Sequence, residues 1–162
     1  MADMSLDAID LRILQVLQDD ARTTNAALAE QVGLSPSPCL RRVRRLEQSG
    51  RIAGYRAILD RPRTGFGLTV FVEIKVARHS RENAAALEAV LSEMDEVVAC
   101  HMVSGQADFL AEVVVPDLPA YEALLIDRLL TQPMIEDIRS NFAIRTTKTN
   151  GPLPLSGHRA GT

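Results

Sequence analysis

Ser35-Pro36-Ser37-Pro38-Cys39-Leu40-Arg41-Arg42-Val43-Arg44-Arg45-Leu46 decides how the rest of the chain is read. Serine caps free N–H groups and proline costs little in a first helical turn, so the stretch opens as a helix does. Gly50 supplies a stop shortly after Leu46. On a wheel of about 100° per residue, Leu40, Val43 and Leu46 share one face, with Cys39 at its edge. Arg41 and Arg45 then point away from that face, and Arg42 and Arg44 lie on its flanks. All four cations are Arg, whose planar fork suits guanine edges and phosphates. No Asp or Glu stands three or four residues before them, so the usual partners within a helix are missing. A helix with one thin apolar stripe and guanidinium groups around the rest suits a groove between phosphate rows. The bland rival is a solvated charged face.

The preceding residues favour the groove. Ile9, Ile13, Val16 and Leu17 predict a helix from about Asp7 to Asp20, with Ser5 or Asp7 as its cap. A second helix is expected from about Asn25 to Val32, capped by Thr24 and stopped by Gly33. Leu28 and Val32 face inward there, and Ala29 permits close approach. Only Gly33-Leu34-Ser35 separates this helix from the third. Such a turn is that of a helix-turn-helix pair, whose second helix lies in the major groove. A generic three-helix bundle is the alternative, and the arginine distribution argues against it. The candidate DNA contacts are Thr24, Asn25, Ser35, Ser37, Pro38, Arg41, Arg42, Arg44 and Arg45. Arg41 is assigned to base discrimination and Arg42 and Arg44 to phosphates, from their wheel positions.

Residues 51–60 read as a short extended segment, and Arg61-Pro62-Arg63-Thr64-Gly65 as a linker. A second module follows. Leu68, Val70, Val72, Ile74 and Val76 alternate with Thr69, Phe71, Glu73, Lys75 and Ala77, the pattern of a strand with one apolar face. Asn83 to Met94 is helical, with Leu87, Val90, Leu91 and Met94 inward. Val97 to Ser104 and Asp108 to Val115 are strands joined through a turn at Gly105. Asp117 caps a helix to about Leu130, and Ile135 to Thr147 is a last strand.

The fold class is therefore α+β: an N-terminal helix-turn-helix (winged-helix-like) domain followed by a βαββαβ ferredoxin-like αβ-sandwich. The expected boundaries are 1–53 for DNA binding, 54–66 for an extended linker, 67–149 for dimerisation and effector binding, and 150–162 for a flexible tail. Helices cover only one face of such a sheet. Phe71, Ala99 and Val103 on the other face predict a homodimer or larger assembly.

Composition agrees with two small domains. The chain has 162 residues, a formal charge of −3, 46% hydrophobic and 24% charged residues. Its charge is uneven: residues 1–64 carry ten Arg against eight Asp/Glu, whereas 65–162 carry eight Lys/Arg against thirteen Asp/Glu. A basic head on an acidic body suits an anion-binding module joined to one with another task. The acidic N-terminus does not read as a secretory signal, and no apolar run approaches the ~20 residues of a membrane span. Two cysteines make no disulfide framework, so they are read as reduced and the protein as cytoplasmic.

At this point the chain resembles the Lrp/AsnC (feast/famine) family of transcription regulators. The resemblance rests on Leu6-Asp7-Ala8-Ile9-Asp10 with Ile13-Leu14, on Val32 to Cys39, on Arg42-Val43-Arg44-Arg45-Leu46-Glu47, and on Gly50 with Ile52-Ala53-Gly54-Tyr55. In the second module it rests on Cys100-His101-Met102-Val103-Ser104-Gly105 and Val115-Pro116-Asp117, and it covers about residues 5–149. It implies double-stranded DNA as partner, self-association to a homodimer and then an octamer or other even oligomer, and a small amino-acid ligand, with no further cofactor. Carried over by position, it implies an effector cleft near Met102, Val103, Ser104, Gly105, Gln106, Asp108, Leu118, Asn141, Phe142 and Ala143. Backbone N–H groups at the glycine turn would hold a carboxylate, and Asp108 would accept from an ammonium group. Gln106-Ala107 replaces the family's frequent acidic-then-aromatic pair, which points away from leucine and toward a different or larger amino acid.

Enzymatic chemistry finds little support. Cys100 and His101 are strand neighbours and point to opposite faces. His79, His101 and His158 lack zinc-site spacing, and the chain has no Walker loop, no dinucleotide fingerprint and no obvious acid/base carboxylate pair. Two other readings stay open: a compacting chromosomal DNA-binding protein with little sequence preference, and an amino-acid sensor acting through a protein partner.

Overall fold

The computed structural model describes residues 6–77 and 80–155 and divides into two compact units, Met1–Ala57 with Lys148–Thr162, and Ile58–Thr147. His79, His158 and Ser5 lie outside the described residues.

The first unit holds α1 (Ala8–Asp19), α2 (Asn25–Val32) and α3 (Pro36–Gln48). Asp7 caps α1 by accepting from the N–H groups of Ile9 and Asp10, and Asp10 completes the capping box. Thr24 caps α2 through Ala27 N–H, and Gly33 ends it at φ 72°, a left-handed conformation suited to glycine. Ile13, Leu28, Ala29, Val32, Cys39 and Leu46 form the core, with Ile9, Val16, Leu17 and Val43 packed around it. The expected wheel of α3 is off by one position. Cys39 is fully buried and Leu40 is 39% exposed, so the core stripe is Cys39-Val43-Leu46. Pro38 is half-buried rather than outward.

Residues 51–60 form no strand. Arg51 and Ile52 N–H donate to the Leu46 carbonyl, and Tyr55 Oη donates to Glu47. The described part of the expected tail is fastened: Gln18 Nε2 donates to the Leu153 carbonyl (3.1 Å) while Leu153 N–H donates to Gln18 Oε1 (2.9 Å). Asn150 accepts from Arg56.

The second unit is the expected βαββαβ: β1 (Leu68–Val76), α4 (Arg81–Ser92), β2 (Val97–Met102), β3 (Phe109–Val115), α5 (Leu118–Ala123) and β4 (Ile135–Phe142). The sheet order is β2-β3-β1-β4, with every pairing antiparallel. Val70, Val72, Ile74 and Val76 meet Phe109, Ala111, Val113, Leu87, Leu91 and Tyr121 in one core. Three features differ from expectation, each tied to a neighbouring element. A register shift between Val97 and Ala99 breaks the alternation of β2, so Val97 and Cys100 face the core while Val98 is exposed. After α5 the helix widens to a π-turn over Leu124–Leu129, with Leu130 N–H donating to Leu125 O. The widening puts Leu124 and Leu129, five residues apart, into the same core. β4 stops at Phe142 because its partner runs out: Phe142 pairs with Val70, Ala143 N–H reaches Thr69 O, and β1 begins at Leu68.

Gln18→Met keeps side-chain length and removes both bonds to Leu153. Hydrogen exchange at the Leu153 amide should then rise toward the unprotected rate, while Ile74 in β1 stays protected.

Candidate functional site

In α3 the buried stripe leaves Ser37, Leu40, Arg41, Arg44 and Gln48 exposed on one side, at the i, i+3, i+4, i+7 and i+11 spacing of a single helical face. The four arginines divide into two pairs. Arg41 and Arg44 are exposed and extend from this outer face. Arg42 and Arg45 turn back toward α1, which corrects the expectation that all four project freely. Arg42 Nη1 donates to Asp7 Oδ2 (2.6 Å) and Asp10 Oδ1 (2.9 Å). Arg45 Nη2 donates to both oxygens of Asp10 (2.8 and 2.6 Å).

Asp10 is 2% exposed, the buried charged residue of the described core. A carboxylate out of water needs charged partners, and two guanidinium groups supply them. Burial alone would raise the Asp7 carboxyl. The Arg42 hydrogen bond and charge, with the Asp10 and Ile9 N–H groups, take it below the usual carboxylate value. Asp10 is the functional residue that sequence reasoning missed. The partners of Arg42 and Arg45 lie 32 or 35 residues away, in α1 and its cap, where a search within one helix does not look.

Thr24 is exposed and spends its hydroxyl as a cap. Asn25 is half-buried, and its Nδ2 donates to the Pro36 carbonyl (2.8 Å), tying the start of α2 to the start of α3. Ser35 precedes the helix and makes no side-chain cap hydrogen bond. Of the nine candidate DNA contacts, Ser37, Arg41 and Arg44 therefore share the outer face, and Asn25, Arg42 and Arg45 hold the helices together.

The second unit separates the effector candidates. Met102 to Asp108 lie at the β2–β3 turn, where Asp108 N–H donates to Ile74 O and its Oδ2 accepts from Val76 N–H (2.8 Å). Asp108 is thus already engaged with the backbone of β1. Gln106 accepts from Arg139 and lines a polar cavity of about 460 Å³ with Glu73, Lys75, Ala107, Glu136, Asp137 and Arg139. Lys75 pairs with Glu136 (2.9 Å) across that cavity, a cluster signalled in sequence by charges at alternate strand positions. Leu118 and Phe142 line a different, apolar hollow of about 430 Å³ with Gly67, Leu68, Pro116 and Asp117. On β1, Ile74 pairs with Phe109 and Val70 with Phe142, four residues or about 13 Å apart. The ten candidates do not line a single hollow of this chain. Asn141, on the open face, donates to Glu73.

No thiol here is primed as a nucleophile. Burial pushes the Cys39 thiol up, and burial with the Glu88 carboxylate does the same at Cys100. Among the described residues no helix is long and apolar enough to cross a membrane.

Comparison with known proteins places both units. A family model described as winged helix-turn-helix DNA-binding matches residues 6–53, and one described as the Lrp/AsnC ligand binding domain matches 69–153. The leucine-responsive regulatory protein of Salmonella typhimurium is 42% identical over 150 residues, spanning 93% of this chain and 92% of that protein. A transcriptional regulator of Neisseria meningitidis, solved as its L-Met complex, superposes with a TM-score of 0.90 at 35% identity, covering 94% of this chain and 98% of the other. An AsnC family transcriptional regulator of Agrobacterium tumefaciens gives 0.87 at 41%, covering 93% and 97%.

Asp10→Asn removes the charge that faces both guanidinium groups. It should cost roughly 2–3 kcal/mol, below the full value for a buried pair because Arg42 and Arg45 keep a solvent face. A lower urea midpoint for the helical unit is the expected reading.

Proposed function

Since the chain belongs to the Lrp/AsnC family of transcription regulators, we propose that it reads duplex DNA with the outer face of α3 and answers to a small amino acid bound in its second unit. The observation that supports the DNA face is the split among the arginines: Arg41 and Arg44 stand exposed beside Ser37, on a helix fastened from behind through Asp10. Arg41 and Ser37 sit in the half of the helix that reaches base edges when a recognition helix enters a major groove, and Arg44 follows one turn later toward the phosphates. Arg42 and Arg45 position the helix, and their contribution to DNA binding is indirect.

The homodimer forms through the open sheet face, where Phe71 is exposed amid ionic residues. Dimers then associate into an octamer or another even assembly. The effector cleft takes Met102, Val103, Ser104, Gly105, Gln106 and Asp108 from one copy and Leu118, Asn141, Phe142 and Ala143 from another. The distance along β1 between the β2–β3 turn and Phe142 supports this division for Leu118 and Phe142, whereas Asn141 bonds Glu73 on the wall of the Gln106 cavity. Amino-acid binding between copies would couple ligand to assembly and so to DNA affinity. The working place of such a regulator is the cytoplasm.

Gel shifts across a salt series test the DNA face. Arg41→Ala should lose about 1–3 kcal/mol on a selected duplex and much less on random duplex; Arg44→Ala should weaken both alike and reduce the salt slope by about 1. Equal losses on both duplexes for Arg41→Ala would refute its role.

For the effector, thermal unfolding is followed with each of the twenty amino acids. A binder at a hundredfold its Kd should add about 2.7 kcal/mol of apparent stability, and no shift with any of them would count against the cleft.

A further inference from the structure

Leu40 is not part of the core of the helical unit. It is 39% exposed, while Cys39, one residue earlier, fills the core position. Its neighbours on the outer face are Ser37 one turn before, Arg44 one turn after and Arg41 beside it. It is the large apolar side chain that α3 turns to solvent, on a helix whose other exposed residues include Ser37, Arg41, Arg44, Glu47 and Gln48. It is also the fifth residue of α3, within the N-terminal half that approaches base edges in a helix-turn-helix.

We propose that Leu40 is a specificity-determining residue that packs on the 5-methyl group of a thymine in the major groove. The inference rests on the reading of the α3 outer face as the DNA-binding face. A leucine offers no donor or acceptor, so it cannot satisfy the polar atoms of any base edge. In the major groove the apolar feature common to A·T pairs is the thymine methyl, presented beside the O4 acceptor. Facing a cytosine at the same position, Leu40 would cover the N4 donor without replacing its hydrogen bond to water. Arg41 and Arg44 fix the helix against bases and phosphates, and Leu40 supplies preference for thymine between them.

The full chain is used to select a duplex from a random-sequence pool, and each thymine of that duplex is then replaced singly by deoxyuridine, which lacks only the methyl. At one thymine or more the replacement should weaken wild type about fourfold, the value of one buried methyl group. Leu40→Ala should bind the thymine and deoxyuridine duplexes at that position equally, whereas Arg41→Ala should keep the difference. Leu40→Gln, similar in length and helix propensity, serves as the second variant and should also lose it. An unchanged melting curve for either variant separates contact from folding.

If no single replacement weakens wild type, or if Leu40→Ala and Leu40→Gln retain the full thymine preference, the proposal falls while the Arg41 and Arg44 results stand. If no duplex is enriched and Arg41→Ala and Arg44→Ala bind as wild type does, the DNA face itself is wrong, and Leu40 with it.

Discussion

A carboxylate held almost out of water fixes how the helical unit is put together. The buried carboxylate of Asp10 is met there by the guanidinium groups of both Arg42 and Arg45. Because the two arginines are three apart on α3, satisfying both sets the rotation of that helix about its own axis. The same carboxylate closes the capping box of α1, so the start of one helix and the middle of another share a single node. Asn25 adds a second tie at the beginning of α3. With rotation set, the sides of α3 sort themselves: Cys39, Val43 and Leu46 inward, Arg42 and Arg45 toward α1, and Ser37, Leu40, Arg41 and Arg44 outward. Replacing a buried ionic contact by apolar packing is often neutral or stabilising, whereas removing one partner is costly.

Much of this was legible in the sequence, and the exceptions have physical causes. Helix starts at Asp7 and Thr24, the stop at Gly33 and the period-2 pattern of β1 are local signals, and each appears where its chemistry predicts. The order βαββαβ follows from those signals in series. What misled was the ambiguity of a narrow stripe. Leu40 is more hydrophobic than Cys39, yet the node at Asp10 turns the helix so that the thiol is buried and the leucine is not. Wheel geometry cannot detect a partner on another helix. The shift in β2 and the π-turn after α5 escaped for a related reason: both depend on what the neighbouring element requires. The early end of β4 records the length of β1, which no residue within β4 encodes.

The second unit shows a sheet whose two ends carry different chemistry. Around the β2–β3 turn the surface is ionic and its charges are largely paired with one another. At the other end Leu68, Leu118 and Phe142 make an apolar hollow, with Phe142 edge-on to Tyr121. Arg61 reaches Glu112 (2.6 Å) and Thr69, so part of the expected linker is already pinned to the sheet. The polar and the apolar hollow are separate within the chain.

The hold of Gln18 on Leu153 has a consequence for biosynthesis. The helical unit contains the beginning of the chain and, through 148–155, a piece emerging after the whole sheet unit. At a ribosomal pace of about 5–20 residues per second, the 90 intervening residues take roughly 5 to 18 seconds to appear. During that interval the three helices exist without residues 148–155, and the amide of Gln18 lacks its Leu153 partner. The nascent head is therefore finished from its far end, after the sheet-forming segment has been translated.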